Sequence, residues 1–301
     1  MLRSPKISTA KSAGEQVKEA RLTRILLDGR WKFRKLGDSK WLDATVPGTN
    51  FTDLLQNGII DHPFHRNNEH EIQWIEKEDW EYIRHFEIED ELLSDEVNLV
   101  FQGLDTFCEI YLNGEKILES DNMFIPYRIP CKGLLKSGKN EVHLIFKSSI
   151  KTVEGIQKKG GFRYPAENDK TEDKLSVFVR KAPYHFGWDW GPKFVTSGVW
   201  QSCYLEVYAR TRIHDVAVNQ QWVNEDLVTA IFSVEVESSY QGPLDVEISC
   251  ENHPELELIR ETLQPQKQFN ITIKDPARWW PNGLGESHLY QFNVSVCDGE
   301  E

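Results

Sequence analysis

The sequence lacks any apolar run approaching the roughly 18 residues that a membrane-spanning helix needs. Its first 24 residues also lack the apolar segment of a secretory signal, so the compartment is left open. Basic charge is scarce, because 35 Lys and Arg residues face 48 Asp and Glu residues and leave a formal net charge of −13. This balance excludes nucleic acid and anionic membrane as partners, since both require a basic footprint. It is compatible with a neutral ligand.

Paired cysteines and the common catalytic motifs are missing as well. The cysteines are odd in number, widely spaced and without a C-x-x-C pair: Cys108, Cys131, Cys203, Cys250 and Cys297. We therefore predict free, mostly buried thiols, with no disulfide framework and no zinc site. The sequence contains no H-E-x-x-H, G-x-S-x-G, P-loop or Rossmann glycine motif. It predicts no metal site and no cofactor, and no pair of carboxylic residues stands out as catalytic.

Among the secondary-structure patterns in the sequence, those of β-strands are the most frequent. Aromatic residues make up 11 % of the chain and include ten Trp, which favours pleated, β-rich packing. Asn113-Gly114 between two short apolar runs predicts a β-hairpin. One helix is predicted near residues 49–57, capped by Thr49 or Asn50 and ended by Gly58. Short strands separated by Gly and Pro turns indicate an all-β protein built from β-sandwiches, with strands predicted at 80–88, 97–103, 141–147 and 199–209.

The chain divides by composition into three parts. Residues 1–22 are predicted to be a poorly ordered polar arm, 23–209 the first sandwich domain and 210–301 an immunoglobulin-like sandwich. The last assignment depends on regularly spaced strands, at 213–219, 228–237, 244–250, 256–263, 268–274 and 288–296. The turn signal Asp298-Gly299 has no strand after it, so we expect this sandwich to be incomplete, truncated before its last strand.

A long polar excursion over residues 148–174 interrupts the strand pattern. Connections of that length are usually functional or mobile. The excursion leads through a predicted strand, LSVFVRK at 175–181, to the loop H-F-G-W-D-W-G-P at 185–192. We expect it to lie beside that loop.

In the loop at 185–192, two tryptophans bracket one carboxylate. The indole of Trp188 could stack on the C–H face of a sugar, and Asp189 could accept hydrogen bonds from sugar hydroxyls. Gly187 gives the backbone conformations that other residues avoid, and Pro192 stops any regular element. The alternative is a buried structural corner in which Asp189 caps backbone N–H groups. From the residues alone, both interpretations stay open.

Several segments, in order, resemble the N-terminal half of family 2 glycoside hydrolases, and within that family the β-mannosidases. They cover most of residues 25–301. The W-D-W-G-P stretch followed by S-G-V-W at 197–200 is the most specific; the others are VPGTNFTDLLQNGIIDHPFHRNNE (46–69), IEKEDWEYIRHFEI (75–88), FQGLDTFCEIYLNGEKILESDNMFIPYRI (101–129) and WWPNGLGESHLY (279–290). The resemblance implies a jelly-roll, galactose-binding-like sandwich followed by the immunoglobulin-like one.

The resemblance also implies a function for a longer protein. That protein would be a retaining exo-β-mannosidase, which removes terminal β-D-mannose from the non-reducing end of an oligosaccharide or glycan. Both catalytic Glu residues would lie in a C-terminal barrel, so no catalytic residue is assigned here and the chain alone is expected to be inactive. Trp188 would form a wall of the sugar subsite, and Asp189 would bind mannose hydroxyls. The alternatives are a stand-alone carbohydrate-binding module or another family 2 exo-glycosidase.

Overall fold

A computed structural model describes residues 22–156, 159 and 164–298 of the chain. The predicted polar arm lies outside the described residues except for Leu22. The chain divides into two compact units, of which the first is Thr23–Val207 and the second begins at Tyr208. Among the described residues, no helix combines the length and apolar character that crossing a membrane would require. The prediction of an all-β protein is confirmed.

Strands form most of the first unit. Those that begin within its described residues are β1 (Thr23–Leu26), β2 (Gly29–Lys35), β3 (Leu42–Val46), β4 (Trp80–Ile88), β5 (Glu96–Phe101), β6 (Leu104–Asp105), β7 (Cys108–Leu112), β8 (Glu115–Ser120), β9 (Tyr127–Pro130), β10 (Gly138–Phe146), β11 (Gly198–Val199) and β12 (Cys203–Tyr208). The α-helices whose bounds both lie within the described residues are α1 (Asn50–Gln56), α2 (Asn68–Glu71) and α3 (Ser149–Val153). Short 3₁₀ helices lie at Ile75–Lys77, Asp90–Ser94, Lys132–Leu134, Leu175–Phe178 and Pro183–Phe186.

Two antiparallel sheets enclose the core of the first unit. One has the strand order β3-β2-β4-β10-β7-β8, and the other has the order β1-β12-β5-β9. Phe33 and Tyr82 from the larger sheet belong to the same buried cluster as Leu99 and Leu205 from the smaller one. Burying apolar side chains of both sheets against each other stabilises the sandwich by roughly 1.5–3 kcal/mol for each fully buried large side chain. The short strands β6 and β11 pair with each other, and β6 carries Asp105.

Two local predictions hold in detail. Thr49 caps α1 by accepting a hydrogen bond from the backbone N–H of Thr52, whose hydroxyl in turn accepts from the backbone N–H of Thr49. Asn113 and Gly114 both have positive φ, at 52° and 84°, as a two-residue hairpin turn between β7 and β8 requires. Both features are encoded by neighbouring residues, which is why they can be read from sequence.

Two strand predictions are wrong. Residues 175–181 begin with a 3₁₀ helix, because Leu175 and Val179 enter a small apolar cluster with Phe186. The predicted strand at 199–209 is split between β11 and β12, and Trp200 leaves the sheet to donate a hydrogen bond to the carbonyl of Met123. All six residues of β12 are buried instead of alternating, so both faces of this strand are covered.

The second unit is a smaller sandwich. Its strands are β13 (Thr211–Asn224), β14 (Leu227–Ser238), β15 (Asp245–Cys250), β16 (Ile259–Thr262), β17 (Gln268–Lys274) and β18 (Phe292–Cys297), paired as β13-β14-β17 and β16-β15-β18. Phe232, Ile248 and Ile271 from the two sheets share one core. The last strand begins at Phe292, later than predicted. All five cysteines are free, and only Cys297 is exposed, as expected.

Candidate functional site

The loop around Trp188 turns sharply at Gly187. Its φ is +119°, and a Cβ there would lie 2.6 Å from Cγ of Lys170, so only glycine fits both the backbone and the space. Trp188 and Gly191 then form an isolated antiparallel bridge that closes a tight turn. The rings of Trp188 and Trp190 stand edge to face with centroids 6.3 Å apart. The backbone therefore presents both indoles at the tip of one short turn.

The predicted site residues lie at the surface. Trp188 is 38 % exposed and Trp190 is 84 % exposed, while Asp189 is also exposed. Within the described part of the chain, the carboxylate of Asp189 accepts no hydrogen bond. A buried corner in which Asp189 caps backbone N–H groups is therefore not what the structure contains. The exposed carboxylate of Asp189 is therefore free to accept hydrogen bonds from a ligand.

Lys170 ties the turn to the excursion that precedes it. Its ammonium donates to the carbonyl of Gly191 at 2.6 Å, and its backbone N–H donates to the carbonyl of Phe186 at 2.8 Å. Asp169 is buried next to it and accepts hydrogen bonds from Thr171 and from the backbone N–H of Ser176. As expected, the described part of the 148–174 excursion lies beside the loop, while residues 157–158 and 160–163 are outside the described residues.

The far end of the loop is held by a different part of the chain. Gln73 donates from its side chain to the carbonyl of Lys193 at 3.0 Å, and the Lys193 ammonium pairs with the nearly buried carboxylate of Glu76. Phe64 packs edge to face on Phe194 at 5.4 Å. Residues 64–76 thus brace the loop, which is anchored at both ends.

A buried polar network lies next to the loop in sequence and in space. Lys181, which is 2 % exposed, donates to both carboxylate oxygens of Asp105, which is 1 % exposed. Lys181 also donates to the hydroxyl of Thr196 at 3.1 Å, and that hydroxyl donates to Asp105 at 2.6 Å. His185 Nδ1 lies 3.1 Å from the same hydroxyl and 3.1 Å from the carbonyl of Phe194. The segment of residues 181–196 therefore meets Asp105, 76 positions before Lys181, at one ion pair.

Sequence reasoning missed this network. Lys181 and Asp105 are 76 positions apart, and neither residue is part of a motif that would predict a partner. Burial lowers the pKa of Lys181, and the nearby Asp105 opposes that effect. A buried lysine is costly without a partner, so the pair is best explained as a clamp between β6 and the segment that leads into the loop.

His185 is held in its neutral form. Burial lowers its pKa to about 4, and the Lys181 ammonium acts in the same direction, while Asp105 and the Phe194 carbonyl oppose it. Because the folded pKa lies below the unfolded value near 6.5, the unfolded chain binds more protons between pH 6.5 and 4. The stability that His185 contributes is thus present above pH 6.5 and is lost as the pH falls toward 4.

We expect His185→Asn to weaken this acid dependence. Between pH 7 and 4.5 the variant should lose about 2 kcal/mol less unfolding free energy than the unaltered chain, since asparagine cannot take up the proton. Urea unfolding at several pH values, followed by tryptophan fluorescence, measures the difference. Parallel pH profiles for the two proteins would contradict the assignment of a depressed pKa to His185.

In the described ranges, no group of three or more His, Cys, Asp or Glu residues is placed to hold a metal ion. The loop's own groups are two indoles and one free carboxylate. Such a set binds by stacking and by accepting hydrogen bonds, which suits a ligand with an apolar face and several hydroxyls.

Comparisons with known proteins identify the family. A family model described as glycosyl hydrolase 2 galactose-binding domain-like matches residues 31–201, and one described as glycosyl hydrolases family 2 matches residues 211–301. A probable beta-mannosidase of Caenorhabditis elegans is 31 % identical, covering 91 % of this chain and 32 % of that protein. Beta-mannosidase B of Emericella nidulans is 32 % identical, covering 93 % and 34 %.

A solved structure shows the same architecture. The crystal structure of beta-D-mannosidase from Dictyoglomus thermophilum superposes with a TM-score of 0.83 at 38 % identity, covering 92 % of this chain and 34 % of that one. The chain thus spans about a third of the length of the relatives it matches. On the match of both family models over its two sandwiches, the chain belongs to glycosyl hydrolase family 2.

Proposed function

We propose that this chain supplies the two β-domains of a retaining exo-β-mannosidase, which hydrolyses terminal β-D-mannose residues. The observation that carries the proposal is the outward-facing pair of Trp188 and Asp189, with a carboxylate that has no partner among the described residues. The loop beneath it is anchored by Lys170 and Lys193 before any ligand binds. Preorganisation of this kind lowers the ordering cost of binding.

The proposed roles follow from the side chains. Trp188 forms a wall against the C–H face of the terminal mannose, and Asp189 accepts hydrogen bonds from its hydroxyls. A carboxylate that is desolvated on binding rejects sugars that leave it unpaired, so Asp189 contributes to specificity. Retaining hydrolysis also needs two carboxylic groups about 5–5.5 Å apart. We assign those two groups to a catalytic domain of the longer protein, which agrees with the one-third coverage of the relatives.

Hydrolysis assays test the proposal directly. We expect the 301-residue chain alone to leave a chromogenic β-mannoside intact. The longer protein should hydrolyse it and should act at least about 100-fold less well on the matching β-galactoside and β-glucuronide, since misplaced hydroxyls leave Asp189 unpaired. Turnover by the pure chain would contradict the assignment of both catalytic carboxylic groups to a separate domain of the longer protein. A longer protein that prefers another glycoside, or that binds mannosides without cleaving them, would overturn the activity.

A further inference from the structure

The dipeptide Asn-Gly occurs three times in the sequence, at residues 57–58, 113–114 and 282–283. It carries a chemistry of its own, because a glycine without a side chain lets its backbone nitrogen reach the side-chain carbonyl carbon of the preceding asparagine. Closure of the resulting cyclic imide needs an asparagine amide that is free to turn and a backbone that can rearrange. The three pairs therefore differ in reactivity according to how firmly the fold holds each one.

Hydrogen bonds hold the first two asparagines. The amide nitrogen of Asn57 donates to two backbone carbonyls, at 2.8 and 2.7 Å. The amide nitrogen of Asn113 donates to the carbonyl of Leu134 and to Oδ1 of Asn140, both at 2.8 Å. Oδ1 of Asn113 in turn accepts from the backbone N–H of Glu141 at 3.0 Å. Neither amide can turn toward the following glycine without breaking these contacts.

Asn282 lies at the tip of an exposed turn and is held by much less. The turn is closed by the hydrogen bond from the backbone N–H of Leu284 to the carbonyl of Pro281, at 3.0 Å. Within the described part of the chain, neither the Asn282 amide nor the N–H of Gly283 makes a hydrogen bond, and a Cβ at Gly283 would meet no heavy atom within 4 Å. A single exposed hydrogen bond contributes little net free energy, so this turn opens readily.

We propose that Asn282 is a site of spontaneous deamidation. The backbone nitrogen of Gly283 loses its proton to hydroxide and attacks the side-chain carbonyl carbon of Asn282. A C–N bond forms, and the amide nitrogen takes a proton from water and leaves as ammonia. A water molecule then hydrolyses the cyclic imide at either of its carbonyls, which gives aspartate or isoaspartate. Each product adds one negative charge, and no oxidant or reductant takes part.

The loop that contains Asn282 has little room for the isoaspartate product, which inserts a methylene into the main chain between residues 282 and 283. Trp280 donates from its backbone N–H to the carbonyl of Glu286 at 2.9 Å, which closes the loop. The indole of Trp280 also packs against Gly285, where a Cβ would lie 2.7 Å from Cδ1 of the ring. Deamidation is therefore expected to shift Trp280 on the surface of the second unit while leaving its core intact.

Peptide mapping by mass spectrometry tests the proposal on the 301-residue chain and needs no mannosidase activity. In mildly alkaline buffer, Asn282 should convert at least about tenfold faster than Asn57 or Asn113, since each of those must first lose two or more hydrogen bonds. The rate at Asn282 should rise with pH, because the attacking nitrogen must lose a proton. In urea the three rates should come within about threefold of one another, because the fold no longer distinguishes the three pairs.

Asn282→Gln is the matched variant. Its longer side chain closes an imide ring far more slowly, so the peptide that contains residue 282 should keep its mass. The melting temperature should stay the same, because the exposed Asn282 amide has no partner among the described residues to lose. The proposal is overturned if Asn282 converts in urea but not in the folded chain, if the three pairs convert equally fast in the folded chain, or if the mass gain persists in Asn282→Gln.

Discussion

Lys181→Met is expected to lower the unfolding free energy of the first unit by about 3–5 kcal/mol. The substitution keeps the length and apolar stem of the side chain but removes the ammonium that both oxygens of Asp105 contact. Asp105 is 1 % exposed, so its charge would remain buried with only hydroxyl donors, from Thr106 and Thr196. Urea unfolding of the chain, followed by tryptophan fluorescence, measures the loss.

The neighbouring residue provides a matched control. Arg180 also pairs with an aspartate, Asp121, but the two side chains are 60 % and 57 % exposed. Exposed pairs contribute at most about 1 kcal/mol, so Arg180→Met should have a small effect. Adding Asp105→Asn to Lys181→Met should recover part of the loss, because no buried charge is then left unpaired. Equal losses for Lys181→Met and Arg180→Met would contradict the role of burial.

The Lys181–Asp105 ion pair was not predicted from the sequence, whereas two local features were. The cap at Thr49 and the hairpin at Asn113-Gly114 were predictable because each depends on residues within a few positions. The strand pattern of 175–181 was misleading, since Leu175 and Val179 are apolar for a different reason: they pack in the small cluster beneath the loop. Local alternation cannot distinguish a strand from a short helix whose apolar residues meet a tertiary partner.

The site was predictable in part. The composition of residues 185–192 indicated an aromatic and carboxylate pair, but two interpretations remained because sequence does not report exposure. The structure places Asp189 at the surface without a partner in the described part of the chain. The supports of the loop are side chains 20 to more than 100 positions away, such as Lys170 on Gly191 and Gln73 on Lys193. Contacts at such separation have no periodic signature.

Asp189→Ala is expected to lower kcat/KM of the longer protein on a β-mannoside by at least about 100-fold. Two hydrogen bonds to an ionised group contribute about 1.5–3 kcal/mol each, and about 1.4 kcal/mol corresponds to a tenfold change in rate. Folding should be almost unaffected, within about 0.5 kcal/mol, because the exposed carboxylate has no partner in the described residues to lose. The expected signature is therefore a loss of rate at constant melting temperature.

A structural role for Asp189 predicts the reverse, a lower melting temperature with kinetics close to normal. Asp189→Asn refines the comparison, because it keeps the size and one acceptor oxygen but removes the charge, so its activity should lie between those of the alanine variant and the unaltered protein. Trp188→Ala removes the proposed wall of the sugar subsite and should raise KM for a β-mannoside. If Asp189→Ala instead keeps kcat/KM within about threefold of normal with an intact fold, the carboxylate does not bind the sugar, and the outward-facing pair has another purpose.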